Sequence, residues 1–264
     1  MKLLGHIPAL QVCAALASAA ALLMAGCTTE SSTVTTSTVT VTKEPSAPSP
    51  STTSANTETT RDFAVDTFTA VRLAGNYDLD VTVGSPTSVR AQGDPAALDL
   101  LDIRTVGDTL TATVKPNVQW PANAHVTVTV TTPTITAAEL SGSGKMRIGP
   151  VHTDTLSIDQ SGSGEIDAPE LTVTQITVSS SGSGPIRAGG TAENADIRLS
   201  GSGAAELTTF AVKRANVSLS GSGSLDIRAS EKVSGGMSGS GDARVTGGAA
   251  CSISRTGSGT ATCA

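Results

Sequence analysis

Leu140-Ser141-Gly142-Ser143-Gly144-Lys145-Met146-Arg147-Ile148 is the stretch that decides the fold. Its tetrapeptide Ser-Gly-Ser-Gly returns at Ser161, Ser181, Ser200, Ser220 and Ser238, with a Thr variant at Thr256, at intervals of 20, 20, 19, 20, 18 and 18 residues. Self-similarity at so short a period marks a repeat architecture. The second and fourth residues after each tetrapeptide are Met146/Ile148, Ile166/Ala168, Ile186/Ala188, Ala205/Leu207, Leu225/Ile227, Ala243/Val245 and Ala261/Cys263. The fifth and third residues before it are Leu156/Ile158, Ile176/Val178, Ala195/Ile197, Ala215/Val217, Val233/Gly235 and Cys251/Ile253, where only Gly235 lacks an apolar side chain. Alternation at period two means strands with one buried face.

A unit holding two or three such short strands cannot close a core alone. Stacking the units so that equivalent strands pair in parallel buries a continuous column. The sequence therefore predicts an all-β fold, a right-handed parallel β-helix or solenoid with 18–20-residue coils, the hand following from the strong bias of parallel crossovers. With strands about 4.8 Å apart, seven coils make a rod on the order of 30 Å long. The glycines suit a corner, through positive φ or close backbone approach, and the intervening serines are expected to stack and exchange hydroxyl hydrogen bonds. A glycine-rich turn can also cradle an anion. However, a dinucleotide fingerprint needs a third glycine, and that place holds Arg147, Asp167, Arg187, Glu206, Asp226, Arg244 and Thr262.

Those seven residues lie between inward positions, so they should form one outward column. Four of the five neighbouring charged pairs along it are opposite in sign. Such pairs contribute roughly 0.2 to 1 kcal/mol each across strands, which would fix coil register. The alternative is a solvated surface with incidental signs.

The chain opens differently. Residues 1–26 read as a lipoprotein signal peptide: Lys2, a largely apolar run from Ile7 to Met24, then Met24-Ala25-Gly26-Cys27. This resembles a bacterial lipobox, which makes Cys27 the lipidation site and a lipid on Cys27 the contact with the membrane. Gln11, Pro8 and the cysteine placement favour it over a plain transmembrane anchor of about 20 apolar residues. Residues 27–60 form a Ser/Thr/Pro-rich stalk in which 20 of the 33 positions after Cys27 are Ser or Thr. Such a composition cannot offset the entropy of ordering. The hydroxyls could carry O-linked sugars, while Val34, Val39 and Val41 could mark transient extended structure. The folded domain is expected over 61–264. With Cys13 in the leader and Cys27 lipidated, Cys251 and Cys263 remain, as one disulfide in an oxidising compartment or as two buried thiols. Both stand at inward positions in the last units, where a bond would staple the final coil.

Residues 61–140 lack the tetrapeptide but keep the alternation at Val81 and Val83, Leu110 to Val114 and Val126 to Val130. Pro95 to Leu101 could form one short helix capped by Asp94. These residues should build opening coils or a strand-rich cap continuous with the rod. Phe68-Thr69-Ala70-Val71, Gly93-Asp94 before Leu100-Leu101, Gly107-Asp108-Thr109-Leu110 and Leu140-Ser141-Gly142-Ser143-Gly144 together resemble the bacterial autotransporter adhesin head, or GIN, domain family over roughly residues 61 to 264. The resemblance implies a β-helical, envelope-associated domain and brings no catalytic residues.

Composition narrows the chemistry. Aromatic residues are 2% of the chain, and charged residues 15% with a net charge of −6, so no basic surface exists to hold nucleic acid. Beyond the leader only His125 and His152 occur, and the chain has no His-Glu-x-x-His, Gly-x-Ser-x-Gly or Cys-x-x-Cys motif. Calcium-binding rolls need regular aspartates, whereas these alternate with arginines. No metal and no cofactor is therefore expected. Asp154, Asp159, Glu165, Asp167 and Glu170 cluster within two coils and could form the carboxylate pair of a polysaccharide-processing enzyme. Against this, Tyr77 and Trp120, the platforms a sugar cleft would use, lie outside the repeats. The sequence points to a non-enzymatic envelope module for adhesion or envelope organisation, with an envelope glycan or protein as partner. The enzyme and a plain spacer are the alternatives.

Overall fold

The computed structural model describes residues 59–264. Strands make up 67% of them and helix 2%. The domain opens with β1 (Thr59–Phe63), β2 (Ala70–Ala74), β3 (Asp78–Val83), β4 (Ser88–Gly93), α1 (Pro95–Leu98), β5 (Leu101–Val106), β6 (Thr109–Val114) and β7 (Val126–Thr132). The first tetrapeptide lies between β8 (Ala137–Leu140) and β9 (Lys145–Ile148). There follow β10 (Val151–Gln160), β11 (Glu165–Ser180), β12 (Ile186–Leu199), β13 (Ala204–Gly221) and β14 (Ser224–Gly239), then β15 (Asp242–Thr246), β16 (Ala250–Gly257) and β17 (Ala261–Cys263). All are hydrogen-bonded into one continuous sheet wound on itself.

From β8 onward every pairing is parallel and joins equivalent residues of successive coils, as in Ile166 with Ile186 and Ile176 with Ala195. The long strands bend within each coil. In β11 the register breaks between Ala168 and Leu171, which separates a face following the tetrapeptide from a third face at Leu171 to Val173. The residues from Gln175 to Ser180 then form the face preceding the next tetrapeptide. The expected solenoid is present with about six turns.

The inward side chains are those the alternation predicts. Met146, Ile148, Ile158, Ile166, Val178, Ile186 and Ile197 are fully enclosed. Burying a large aliphatic side chain contributes about 1.5–3 kcal/mol, so small aliphatic groups stacked coil upon coil replace the aromatic core the composition lacks.

The corner is held differently from the expectation. No tetrapeptide serine hydroxyl bonds another among the described residues; the backbone makes the contacts. Ser163 and Gly164 both donate their N–H groups to the Gly142 carbonyl, at 3.2 and 3.1 Å, and Ser183 donates to that of Gly162 at 3.0 Å. A Cβ at Gly162 would lie 2.0 Å from the Gly142 carbonyl oxygen. Close approach therefore demands glycine in the early coils, and positive φ enters at this position only from Gly221, with φ 131°.

The column also starts earlier than the tetrapeptides. Leu73 pairs with Leu140 and Leu79 with Met146, so Ala74-Gly75-Asn76-Tyr77 forms the corner beneath the first tetrapeptide. Tyr77 takes the place of its last glycine. At this end β2 pairs in parallel with β6 and β3 with β7. Direction then reverses, with β4 antiparallel to β7, β1 to β4 and β5 to β6. The Asp94 carboxylate caps α1, accepting from the N–H groups of Ala96 at 2.8 Å and Ala97 at 3.3 Å. The helix ends at Leu98, short of the expected Leu101, because Leu101 enters β5. β1 begins at Thr59, two residues inside the expected stalk.

At the other end Cys251 and Cys263 form a disulfide with Cα atoms 6.4 Å apart. Both stand at inward positions yet are exposed, since no described coil stacks beyond them. Cys27, the leader and residues 28–58 of the expected stalk lie outside the described residues. Among the described residues, no helix is long and apolar enough to cross a membrane.

Candidate functional site

The face preceding the tetrapeptides carries a groove. Two residues before each tetrapeptide, an outward side chain stacks in register on its neighbours: Glu139, Asp159, Ser179, Arg198 and Ser218. Ser179 is the shortest of the middle three, so the column dips between Asp159 and Arg198. Immediately before the tetrapeptides the inward column reads Leu140, Gln160, Ser180, Leu199, Leu219 and Met237. Gln160 and Ser180 are its polar members beside the dip.

Gln160 and Ser180 are only 3% and 6% exposed. Buried polar groups are costly unless hydrogen-bonded, and these bond each other. The Ser180 hydroxyl donates to Gln160 Oε1 at 3.1 Å, and Gln160 Nε2 donates to the Gly164 carbonyl. The resulting groove encloses about 570 Å³, within the range of small-molecule sites. Its charged groups are already held by neighbours. Glu139 pairs with Arg72 at 2.6 Å, Asp159 accepts from the Ser157 hydroxyl at 2.8 Å, and Arg198 pairs with Asp196 at 2.7 Å. The signal of this site in the sequence is the polar pair Gln160 and Ser180 at a repeat position that is apolar at Leu140, Leu199, Leu219 and Met237.

A more open depression of about 710 Å³ lies over the third face, lined by His152, Asp154, Glu193 and Lys213 among others. The Lys213 ammonium, 2.8 Å from Glu193, holds that carboxyl below its usual pKa. His125 lies just ahead of β7, so the histidines do not meet. Among the described residues, no group of three His, Cys, Asp or Glu side chains is placed to hold a metal ion.

The five carboxylates proposed as an acidic cluster do not converge. Asp159 belongs to the face before the corner and Glu165 and Asp167 to the face after it, while Asp154 and Glu170 sit at the bends that flank the third face. Glu165 pairs with Lys145 at 3.4 Å and also with Arg187, and Asp167 with Arg147 at 3.7 Å. The outward charge column is present as a ladder. Arg187 reaches Glu206 on the following coil at 2.8 Å, and Asp226 lies 3.7 Å from Arg244. Hydrogen bonds and charge from Glu206, then Glu165, hold the Arg187 guanidinium above its usual pKa. Tyr77 is buried and stacks on Trp120 with ring centroids 5.6 Å apart, so these rings stabilise the opening corner and form no platform in the groove.

A family model described as "Putative auto-transporter adhesin, head GIN domain" matches residues 67–249. A crystal structure of a "putative adhesin" from Bacteroides fragilis is similar at 25% identity and a TM-score of 0.73, covering 78% of this chain and 97% of its own. Another so described, from Parabacteroides merdae, is 21% identical with a TM-score of 0.64, over 78% and 96% of the two chains. A "putative lipid binding protein" from Parabacteroides distasonis is 19% identical with a TM-score of 0.64, again over 78% and 96%. At such identities the last two show the fold alone. None of the curated proteins matches the chain.

Proposed function

The chain belongs to the auto-transporter adhesin head GIN domain family, and on that premise we propose that it is a lipid-anchored, non-catalytic adhesion module of the bacterial envelope. Met24-Ala25-Gly26-Cys27 supplies the anchor, with the lipid on Cys27, and the Ser/Thr-rich segment after it carries the solenoid away from the membrane. The observation that carries the reading is the groove bounded by Asp159 and Arg198: a pocket rich in hydroxyls, with Glu139 and Arg198 each tied to an opposite charge, on a stacked scaffold suited to holding a surface. The partner is an envelope glycan or protein.

The test uses cells producing the full chain, a Cys27→Ala variant, and cells without the chain. Radiolabelled palmitate should enter the parent chain and not the variant. Cells bearing the parent should adhere to glycan- or protein-coated surfaces more than the other two, without releasing soluble sugar fragments. Equal adhesion by cells lacking the chain, or steady release of sugar fragments by its action, would end this reading.

A further inference from the structure

We infer that the groove between Asp159 and Arg198 binds a linear, uncharged glycan laid along the solenoid axis, with Ser179 beneath it. This rests on the adhesion reading and names the ligand class for the same site.

Geometry gives the length. Asp159, Ser179 and Arg198 occupy consecutive coils in register, so with a rise of about 4.8 Å per coil the two long side chains stand roughly 10 Å apart. Two pyranose rings in an extended chain bridge such a gap. The axis also fits, because equivalent positions recur once per coil and a polymer lying along the rod meets the same face repeatedly.

Chemistry gives the class. A sugar presents vicinal hydroxyls that both donate and accept, and the groove answers with both kinds of partner. The Asp159 carboxylate is an acceptor at one wall, and the Arg198 guanidinium carries donors at the other. The Ser179, Ser181 and Ser200 hydroxyls between them serve either way. Charge argues against an acidic ligand, because Arg198 already pairs with Asp196 at 2.7 Å and Glu139 with Arg72 at 2.6 Å, while Asp159, held by the Ser157 hydroxyl, keeps its negative charge.

The strand under the groove is tied from the core side. Gln160 and Ser180 replace the aliphatic residues found at Leu140, Leu199 and Leu219. Gln160 donates to the Gly164 carbonyl and Ser180 bonds Gln160, so the coils that carry Asp159 and Ser179 are joined by a side-chain hydrogen bond as well as by the backbone.

The test immobilises the full chain and passes over it cellohexaose as the neutral linear probe and hexagalacturonate as the acidic one. Cellohexaose should bind in preference. Ser179→Tyr fills the dip from its outward position and should weaken binding at least tenfold, as should Asp159→Asn. Unchanged circular dichroism and melting temperature would show that both variants are folded. Binding of neither sugar, preference for hexagalacturonate, or cellohexaose binding that survives Ser179→Tyr would each overturn the inference. The adhesion reading is judged separately: it stands if parent cells still adhere better than cells without the chain, and falls if they do not.

Discussion

The Arg187 guanidinium lies 2.8 Å from the Glu206 carboxylate of the next coil, and its other arm contacts Glu165 of the preceding coil. One side chain thereby ties three coils in register. The partners are about half exposed, so each contact is modest. Reversal is a stronger perturbation, because Arg187→Glu sets a carboxylate against Glu165, Asp167 and Glu206. We expect a fall in Tm of roughly 2–4 °C for a domain of this size. Thermal unfolding at low and high salt checks it: the deficit should shrink as salt rises, and an unchanged Tm at low salt would remove the ladder.

Gly162 and Ser163 separate backbone approach from hydroxyl stacking. The Cβ of Gly162→Ala would sit 2.0 Å from a backbone oxygen that cannot move without displacing the previous coil. That change should cost about 3 kcal/mol or more, as strongly disruptive substitutions do. Ser163→Ala removes an exposed hydroxyl without a partner and should stay within about 0.5 kcal/mol. Chemical denaturation of both variants gives the comparison.

Tyr77 is the only tyrosine in the chain, and its hydroxyl is buried without a hydrogen-bond partner among the described residues. Burial foremost, and the nearby Asp102 charge next, raise its pKa above the ordinary phenol value. Below about pH 10 the phenol is neutral in both folded and unfolded chains and adds no pH dependence. Above that the unfolded chain ionises first, so stability falls as pH rises towards the folded pKa. Spectrophotometric titration should show phenolate forming only well above pH 10 or on unfolding. Tyr77→Phe should equal or exceed the parent in stability at neutral pH and lose less of it in alkali.

Arg255 occupies, on the last coil, the inward column of Leu219 and Met237. Among the described residues β16 pairs on one side only, with β14, and an inward charge is one way to keep such an edge from templating another chain. Arg255→Leu should complete the apolar column and promote end-to-end association. Size-exclusion chromatography with light scattering would show a concentration-dependent rise in mass, and a variant as monodisperse as the parent would exclude a guarding role.

Cys251 and Cys263 close a short loop, with a separation of 12 residues, at that same end. Cys251→Ser should lower stability by about 2–3 kcal/mol through the freer unfolded chain. Reduction of the parent should produce the same shift, which thermal melts with and without reductant would show.

The sequence by itself determined the winding. A tetrapeptide at 18–20-residue spacing and strict two-residue alternation admit one way of burying Ile166, Ile186 and Leu225, namely stacking, since no unit has enough apolar surface to fold alone. The inward set, the charged column and the cysteine pairing were legible for the same reason: each depends on position within the repeat. Tertiary structure decided what lies across coils and at the ends. Tyr77 had to be seen under Gly144 before Ala74-Gly75-Asn76-Tyr77 could be recognised as a corner, because its side chains share little with the tetrapeptide and only its backbone place is equivalent. Likewise, Cys251 and Cys263 are inward by pattern and exposed in fact, since burial needs a neighbouring coil. The groove at Ser179 exists because residues about twenty apart become adjacent walls, a relation of stacking that no local pattern contains.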